Sequence, residues 1–173
     1  KWVDAREIVR TNNNYRQAEL DWETSKSSYK RYLNIIDKHI ITQGFIGSTP
    51  EGISTTLGRE GSDYTAAVFA VMAGAKSLTI WKDVPGVMNA DPKIFDFSEK
   101  LDSLSYQDAI ELAFYGAKVI HPRTIIPIQE HNIPLYVKSF KTPENKGTVL
   151  ESKASDKKMP PVFIVKENQV LLS

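Results

Sequence analysis

A chain of 173 residues is long enough for one ordinary domain with a sizeable core. Its formal net charge of +1 gives no electrostatic reason to expect a nucleic acid or an anionic membrane surface as partner. Without cysteine there is no disulfide or thiolate metal site, and no signal peptide or membrane-length apolar run is evident. We therefore expect a cytoplasmic domain. Because the chain opens at Lys1 rather than Met, we also expect an N-terminal part to be missing.

Helical and strand patterns alternate along the chain. Apolar residues at helical spacing, a capping pair at Ser105 and Asp108, a helix-stopping Gly74 and a first-turn Pro122 set the boundaries. The predicted elements are a helix over 21–37, a strand over 40–46, a polar Gly-rich loop over 48–61, a helix over 62–73, a strand over 77–81, helices over 105–116 and from 122, and strands over 133–138 and 148–150.

Continuously apolar strands that alternate with helices indicate a mainly parallel sheet covered on both faces, that is, an α/β fold. Ligands of such sheets bind beyond the carboxyl ends of the strands. The loops after Ile46 and after Trp81 are therefore the expected places for chemistry.

The C-terminal part has a different composition. Residues 151–161 are polar, charged and end in two prolines, which is typical of a linker. Residues 162–165 predict a new strand, and a second apolar run follows after a turn. The 162–173 segment either adds strands to the main body or begins a second domain.

The loop over 57–63 joins two glycines and Arg59 to a predicted helix start. Free backbone N–H groups and the helix dipole attract anions there, and the planar guanidinium suits a carboxylate or phosphate. The segment lacks the Gly-Lys-Ser/Thr of a P-loop. From these residues alone, an anion site and a flexible capped loop remain open alternatives.

Longer strings extend from this loop in both directions. They are Gly44-Phe45-Ile46-Gly47-Ser48, Thr55-Thr56-Leu57-Gly58-Arg59-Glu60-Gly61-Ser62-Asp63-Tyr64-Thr65-Ala66-Ala67, Ile80-Trp81-Lys82-Asp83-Val84-Pro85-Gly86, Ala90-Asp91-Pro92 and Phe114-Tyr115-Gly116-Ala117-Lys118-Val119-Ile120-His121-Pro122. These strings resemble those of aspartokinases, and the resemblance holds in the family's order and spacing from about Val3 to Leu150.

The resemblance implies a three-layer α/β/α sandwich of the amino-acid-kinase type, incomplete at its N-terminus. Residues 1–150 would be the C-terminal half of the catalytic domain, and 162–173 would open an ACT regulatory domain after the 151–161 linker. The implied reaction transfers the γ-phosphoryl group of ATP, with Mg²⁺, to the side-chain carboxylate of L-aspartate. A homo-oligomer is expected for the full-length protein.

The resemblance also assigns site residues. Asp63 and Lys118 match catalytic positions, and Phe45, Arg59, Ser62 and Asp63 match the aspartate pocket. The ATP-contact positions are Lys82, Asp83, Met88, Lys93 and Lys118. Three of these depart from common members: Lys82 stands for Thr, Met88 for a Tyr beside the adenine and Lys93 for Arg, which replaces a fork with a point charge. No metal site is predicted from side chains of the chain itself.

The family's Lys-Phe-Gly-Gly-Thr-Ser run and upstream Gly-Glu segment are not among these residues. Because the missing lysine would neutralise transition-state charge, we expect the isolated chain to be inactive as a kinase. Two alternatives remain: another amino-acid kinase, acting on glutamate, acetylglutamate or UMP, and a non-catalytic nucleotide- or effector-binding piece.

Overall fold

The computed structural model describes residues 1–33, 39–115, 120–153 and 159–165. The chain divides into two compact units, Lys1–Ala75 and Lys76–Ser173. None of the helices in the described ranges has the length and apolar character needed to cross a membrane.

The first unit is built around α2. Its elements are a 3₁₀ helix over Ala5–Glu7, α1 over Trp22–Leu33, β1 over Ile46–Ser48, β2 over Ser54–Thr56 and α2 over Gly61–Met72. The strands β1 and β2 pair antiparallel, with Gly47 opposite Thr55. The small apolar body of α2 lets it pack closely, and Tyr64 and Val68 join Leu57 in a buried cluster.

The predicted end of α2 is confirmed. Gly74 has φ 56°, the left-handed region that glycine enters at least cost. Its N–H bonds the Val71 carbonyl at 3.1 Å, and the N–H of Ala75 bonds the Ala70 carbonyl at 2.9 Å. This pair of bonds is the Schellman closure of a helix C-terminus.

Two predictions in the first unit are wrong. Residues 40–46 do not form a strand: Ile41 makes only an isolated bridge to Trp2, and Phe45 has φ 77°, which breaks extended backbone before β1 begins at Ile46. The predicted loop over 48–61 contains β2. The first predicted helix is confirmed as α1 up to Leu33, and positions 34–37 lie outside the described residues.

The second unit holds a four-stranded sheet with helices. Its elements are β3 over Leu78–Lys82, β4 over Ser103–Ser105, α3 over Tyr106–Tyr115, α4 over Pro122–Glu130, β5 over Leu135–Ser139 and β6 over Thr148–Glu151. The strand order is β3-β5-β6-β4. The pairs β3–β5 and β4–β6 are parallel, which confirms the α/β class with a mainly parallel sheet.

The pair β5–β6 is antiparallel. Only residues 140–147 connect these strands, and a parallel pair needs a longer crossover. Gly147, with φ 72°, ends this connection close to the Val137 carbonyl, where a side chain has no room. The short connection therefore explains why the sheet is mixed.

The strand β4, which was not predicted, runs directly into α3. Ser105 ends the strand, and Tyr106 is the first helical residue. The Ser105 hydroxyl donates to Asp108 Oδ2 at 2.6 Å and accepts the Asp108 N–H at 3.0 Å, so the predicted capping pair is confirmed. Tyr106 is buried, its hydroxyl donates to the Ile133 carbonyl at 2.7 Å, and burial raises its pKa.

The predicted helix start at Pro122 is also confirmed, with His121 as N-cap: its Nδ1 accepts the Arg123 N–H at 3.2 Å. The predicted strand over 162–165 is wrong, since these residues form no strand. Instead, the Phe163 N–H bonds the Asn89 carbonyl at 2.7 Å, and its ring packs beside other aromatic rings. The domain boundary at 150/151 stays a prediction.

Candidate functional site

The start of α2 in the first unit is an open helix N-terminus. Gly58 and Glu60 have φ of 74° and 52°, and these two left-handed residues turn the chain into the helix at Gly61. Glu60 is the N-cap residue but makes no capping hydrogen bond with its side chain. The Gly61 N–H donates to the Gly58 carbonyl at 3.1 Å, and the helix start, which has no capping side chain from Glu60, suits an anionic ligand.

Polar and charged side chains surround this helix start. Arg59 and Ser62 are exposed, and Asp63 in the first turn is partly exposed. All three predicted residues thus belong to the same end of α2, with the arginine directly before the N-cap. A guanidinium beside a helix N-terminus favours a carboxylate or phosphate through both charge and hydrogen bonding.

Phe45 lies against the same helix start. Its ring is 40% exposed, and a Cβ built on Gly61 would come within 2.7 Å of the ring atom Cδ2. The adjacent Gly44 also lies close to the helix start, since a Cβ built on Gly44 would be 3.0 Å from Ser62 Cα. Glycine at both positions thus allows the aromatic ring and the helix N-terminus to meet.

The left-handed backbone of Phe45 is held by two hydrogen bonds. Its N–H donates to Thr65 Oγ1 at 2.9 Å, and its carbonyl accepts the Leu57 N–H at 2.9 Å. The Thr65 hydroxyl in turn donates to the Gly61 carbonyl at 2.7 Å, and Thr65 is 2% exposed. Thr65 was not among the predicted site residues, although its spacing of one helical turn from Gly61 is visible in the sequence.

In the second unit, Lys82 and Asp83 lie at the carboxyl end of the parallel pair β3–β5. Lys82 is the last residue of β3 and is in register with Ser139, the last residue of β5. Asp83 follows and is exposed, and the Phe140 N–H bonds the Lys82 carbonyl at 3.0 Å. These two predicted residues are thus at the edge where parallel sheets bind ligands.

Met88 follows the turn after β3 and is partly exposed. The turn is anchored by Thr148, whose Oγ1 accepts the Val87 N–H at 2.9 Å and donates to the Leu101 carbonyl at 2.5 Å. Gly86 lies so close to Thr148 that it leaves no room for a side chain. The path from β3 to Met88 is therefore fixed by the buried hydroxyl of Thr148, which was not among the predicted site residues.

Lys93 is exposed and lies in a turn that Asp91 holds: the Lys93 N–H donates to Asp91 Oδ1 at 2.9 Å. Lys118, the remaining predicted residue, lies outside the described residues. Within the described ranges, no group of three or more His, Cys, Asp or Glu side chains could hold a metal ion.

One unit carries charged residues at the carboxyl end of parallel strands, and the other carries a helix start that suits an anion; each feature alone is a common ligand site. The family model of the amino acid kinase family matches residues 1–139, and the chain belongs to that family. This finding confirms the predicted fold.

Within the family, the resemblance to aspartokinases is confirmed. The chain is 38% identical over 178 residues to lysine-sensitive aspartokinase 3 of Escherichia coli, a match that covers 100% of this chain and 39% of that protein. It is 40% identical over 152 residues to the chloroplastic bifunctional aspartokinase/homoserine dehydrogenase 2 of Arabidopsis thaliana, covering 87% of this chain and 17% of that protein. The chain thus spans well under half the length of these relatives.

Solved structures of aspartokinases also match this chain. The crystal structure of Escherichia coli aspartokinase III in complex with aspartate and ADP, in the R-state, matches with a TM-score of 0.85 and 39% identity over 90% of this chain and 35% of that one. Clostridium acetobutylicum aspartate kinase matches with a TM-score of 0.77 and 29% identity over 86% of this chain and 33% of that one.

Proposed function

We propose that this chain carries the aspartate-binding end and part of the nucleotide-binding end of an ATP-dependent aspartate kinase. Such an enzyme would transfer the γ-phosphoryl group of ATP to the side-chain carboxylate of L-aspartate and release 4-phospho-L-aspartate and ADP. The observation that carries this proposal is the N-terminus of α2, where Glu60 provides no side-chain cap, the exposed Arg59 directly precedes Glu60, and the Phe45 ring lies against Gly61. A cytoplasmic location and a homo-oligomeric full-length protein belong to the same proposal.

The chemistry needs positioning more than proton transfer. A carboxylate oxygen of aspartate attacks the γ-phosphorus, a new O–P bond forms, and the bond from phosphorus to the ADP oxygen breaks. No general base is required because aspartate is ionised at neutral pH. The main barrier is the approach of two anions, so the protein must hold them in line and neutralise charge.

The first unit would hold the aspartate. Arg59 pairs with a carboxylate of the substrate, and the Ser62 N–H and hydroxyl donate to it. Asp63 accepts from the substrate ammonium, and Phe45 forms an apolar wall that excludes water. Each role suits the exposure of the side chain at the helix start.

The second unit would hold the nucleotide. Lys82, Lys93 and Lys118 supply positive charge to the phosphates, Asp83 accepts hydrogen bonds, and Met88 contacts the base. Mg²⁺ would neutralise charge on the phosphates, and it takes most of its ligands from phosphate and water. The proposal therefore needs no dedicated metal cage of protein side chains.

Aspartate binding tests the first unit. Isothermal titration of the chain with L-aspartate should give saturable binding that Arg59→Ala weakens by about 10- to 100-fold, the cost of losing hydrogen bonds to a charged group. Arg31→Ala is the matched control, since Arg31 is exposed in the last turn of α1 and should leave the affinity unchanged. Equal affinities of the two variants would contradict the proposed pocket.

Nucleotide binding tests the second unit. Lys82 is the last residue of β3, and Lys76 lies two residues before the strand begins at Leu78. Lys82→Ala should weaken ADP binding, whereas Lys76→Ala, at the amino end of the strand, should not. Equal losses for both lysines would mean that the charge of the unit, rather than the carboxyl edge of the sheet, attracts the nucleotide.

The reaction itself is tested in the natural full-length polypeptide that carries these residues. Incubation with ATP, Mg²⁺, aspartate and hydroxylamine should give aspartyl hydroxamate, because hydroxylamine traps an acyl phosphate. Product from glutamate, acetylglutamate or UMP, and none from aspartate, would favour another amino-acid kinase. Binding of ADP and aspartate without any product would favour a non-catalytic binding protein.

A further inference from the structure

Asn89, the residue after Met88, joins three segments of the second unit. It is 4% exposed. The Asn89 N–H donates to the Glu99 carbonyl at 3.0 Å, and Asn89 Oδ1 accepts the Glu99 N–H at 2.8 Å. On the other side, its carbonyl accepts the Phe163 N–H at 2.7 Å, and its Nδ2 donates to the Pro161 carbonyl at 3.3 Å. One buried side chain thus uses both its donor and its acceptor to connect distant parts of the chain.

The 161–163 segment is held by ring contacts as well as by Asn89. The Phe163 ring lies 5.9 Å from the Phe95 ring and 5.3 Å from the Phe97 ring, measured between centroids. Aromatic pairs at these distances contribute beyond the area they bury. Phe97 and Phe163 remain 58% and 44% exposed, so the ring contact is partly solvated, and the hydrogen bonds to Asn89 add to it.

Met88 is placed by its two neighbours. The carbonyl of Val87 accepts the Leu101 N–H at 2.9 Å, and Met88 itself forms an antiparallel bridge with Lys100. On the other side, Asn89 is fixed by the contacts to residues 99 and 161–163. The backbone direction at Met88 is therefore set jointly by the 99–101 segment and, through Asn89, by the 161–163 segment.

We propose that Asn89 is a positioning residue for the nucleotide site, and that it makes nucleotide affinity depend on the docking of residues 161–163. The inference rests on the proposed function, in which Met88 contacts the nucleotide. When the segment is docked, the hydrogen bonds from Asn89 hold Met88 in its binding orientation. Coupling of this kind is reciprocal, so a bound nucleotide must hold the 161–163 segment more tightly in return.

The reciprocal effect is measured on the unaltered natural full-length polypeptide. Hydrogen exchange at the Phe163 amide, which donates to Asn89, should slow by about fivefold or more when ADP is saturating, the lower end of typical coupling between sites. ADP binding is confirmed in parallel by titration. Binding without any change in Phe163 exchange overturns the inference and leaves the proposed function intact. If ADP does not bind, both are overturned.

A variant separates positioning from simple stability. Asn89→Asp keeps the oxygen that accepts from Glu99 but removes the donor to the Pro161 carbonyl. We expect ADP to bind at least about fivefold more weakly, with aspartate affinity unchanged. Asn145→Asp makes the same chemical change at an exposed position of the same unit and should alter neither affinity. Unchanged ADP affinity for Asn89→Asp, or equal losses for ADP and aspartate, overturns the inference.

Discussion

Replacing Thr65 by valine tests how the first unit holds its aspartate pocket. Valine keeps the shape of threonine and removes the hydroxyl that accepts the Phe45 N–H at 2.9 Å. The N–H would then lack a partner in a partly buried place, which costs about 1–3 kcal/mol. The Gly61 carbonyl also loses the Thr65 hydroxyl as a donor. This carbonyl still accepts a backbone N–H of the helix, so the lost second hydrogen bond adds little to the cost.

The functional consequence follows from the backbone of Phe45. A non-glycine residue at φ 77° is strained by about 1–3 kcal/mol, and the strain persists only while the surroundings enforce it. Without the Thr65 hydroxyl, Phe45 should relax towards ordinary extended backbone and move its ring away from Gly61. We expect aspartate affinity to fall by about fivefold or more, equivalent to losing one ordinary hydrogen bond.

Two measurements check this reasoning. Urea unfolding gives the loss of stability, and amide exchange at Phe45 reports directly on the hydrogen bond. Thr65→Ser is the matched control, since it keeps the hydroxyl and removes only a methyl group: Phe45 should stay protected and aspartate affinity should stay near that of the unaltered protein. A Phe45 amide that remains equally protected in Thr65→Val would refute the argument.

Three further changes concern the starts of the two long helices. Gly61→Ala should change the free energy of unfolding by less than about 1 kcal/mol relative to the unaltered protein, because the helix preference of alanine offsets the close contact of its Cβ with Phe45. Titration should nevertheless show weaker aspartate binding, because the Phe45 ring is displaced. Glu60→Gly should raise the free energy of unfolding by about 1 kcal/mol, because glycine relieves the left-handed backbone at φ 52°; a lower melting temperature would contradict this. Asp21→Ala should cost about 1 kcal/mol at neutral pH, because Asp21 Oδ1 caps α1 by accepting the Thr24 N–H at 3.0 Å. The hydrogen bonds from Thr24 lower the pKa of Asp21 below 3.8. The stabilisation from the Asp21 carboxylate is therefore complete above pH 3.8 and is lost as the pH falls through the pKa of the folded state. If the destabilisation by Asp21→Ala did not shrink in acid, this reasoning would be contradicted.

Elements with a strong local signal were predictable. The body of α2 is small and apolar and stops before Gly74, so its sequence alone indicated the helix and its end. The strands β2 and β4 were missed because each has three residues with little apolar character, so only pairing with β1 and β6 makes them strands. The strand over 40–46 was predicted wrongly because the left-handed turn at Phe45 depends on a hydrogen bond to Thr65, 20 residues away.

In the candidate site, too, the residues of a local motif were predictable and those that depend on distant partners were not. Arg59, Ser62 and Asp63 lie close together in the sequence, so their motif predicted that one helix end would carry them. The residues that hold the site in place were not predicted, because their roles depend on partners far along the chain: Asn89 bonds Pro161, 72 residues away, and Thr148 bonds Val87, 61 residues away. Such contacts have no local pattern that a single sequence could reveal.

The direct junction of β4 and α3 limits how this chain can change in length. With no residue between Ser105 and Tyr106, one inserted residue would turn the following helix by about 100° relative to the strand. Tyr106 and Ala109, both buried, would then face away from the core, and the Ser105–Asp108 pair would lose its register. Natural insertions and deletions should therefore avoid this junction and concentrate in the exposed 140–146 connection, where added residues lengthen only a surface loop.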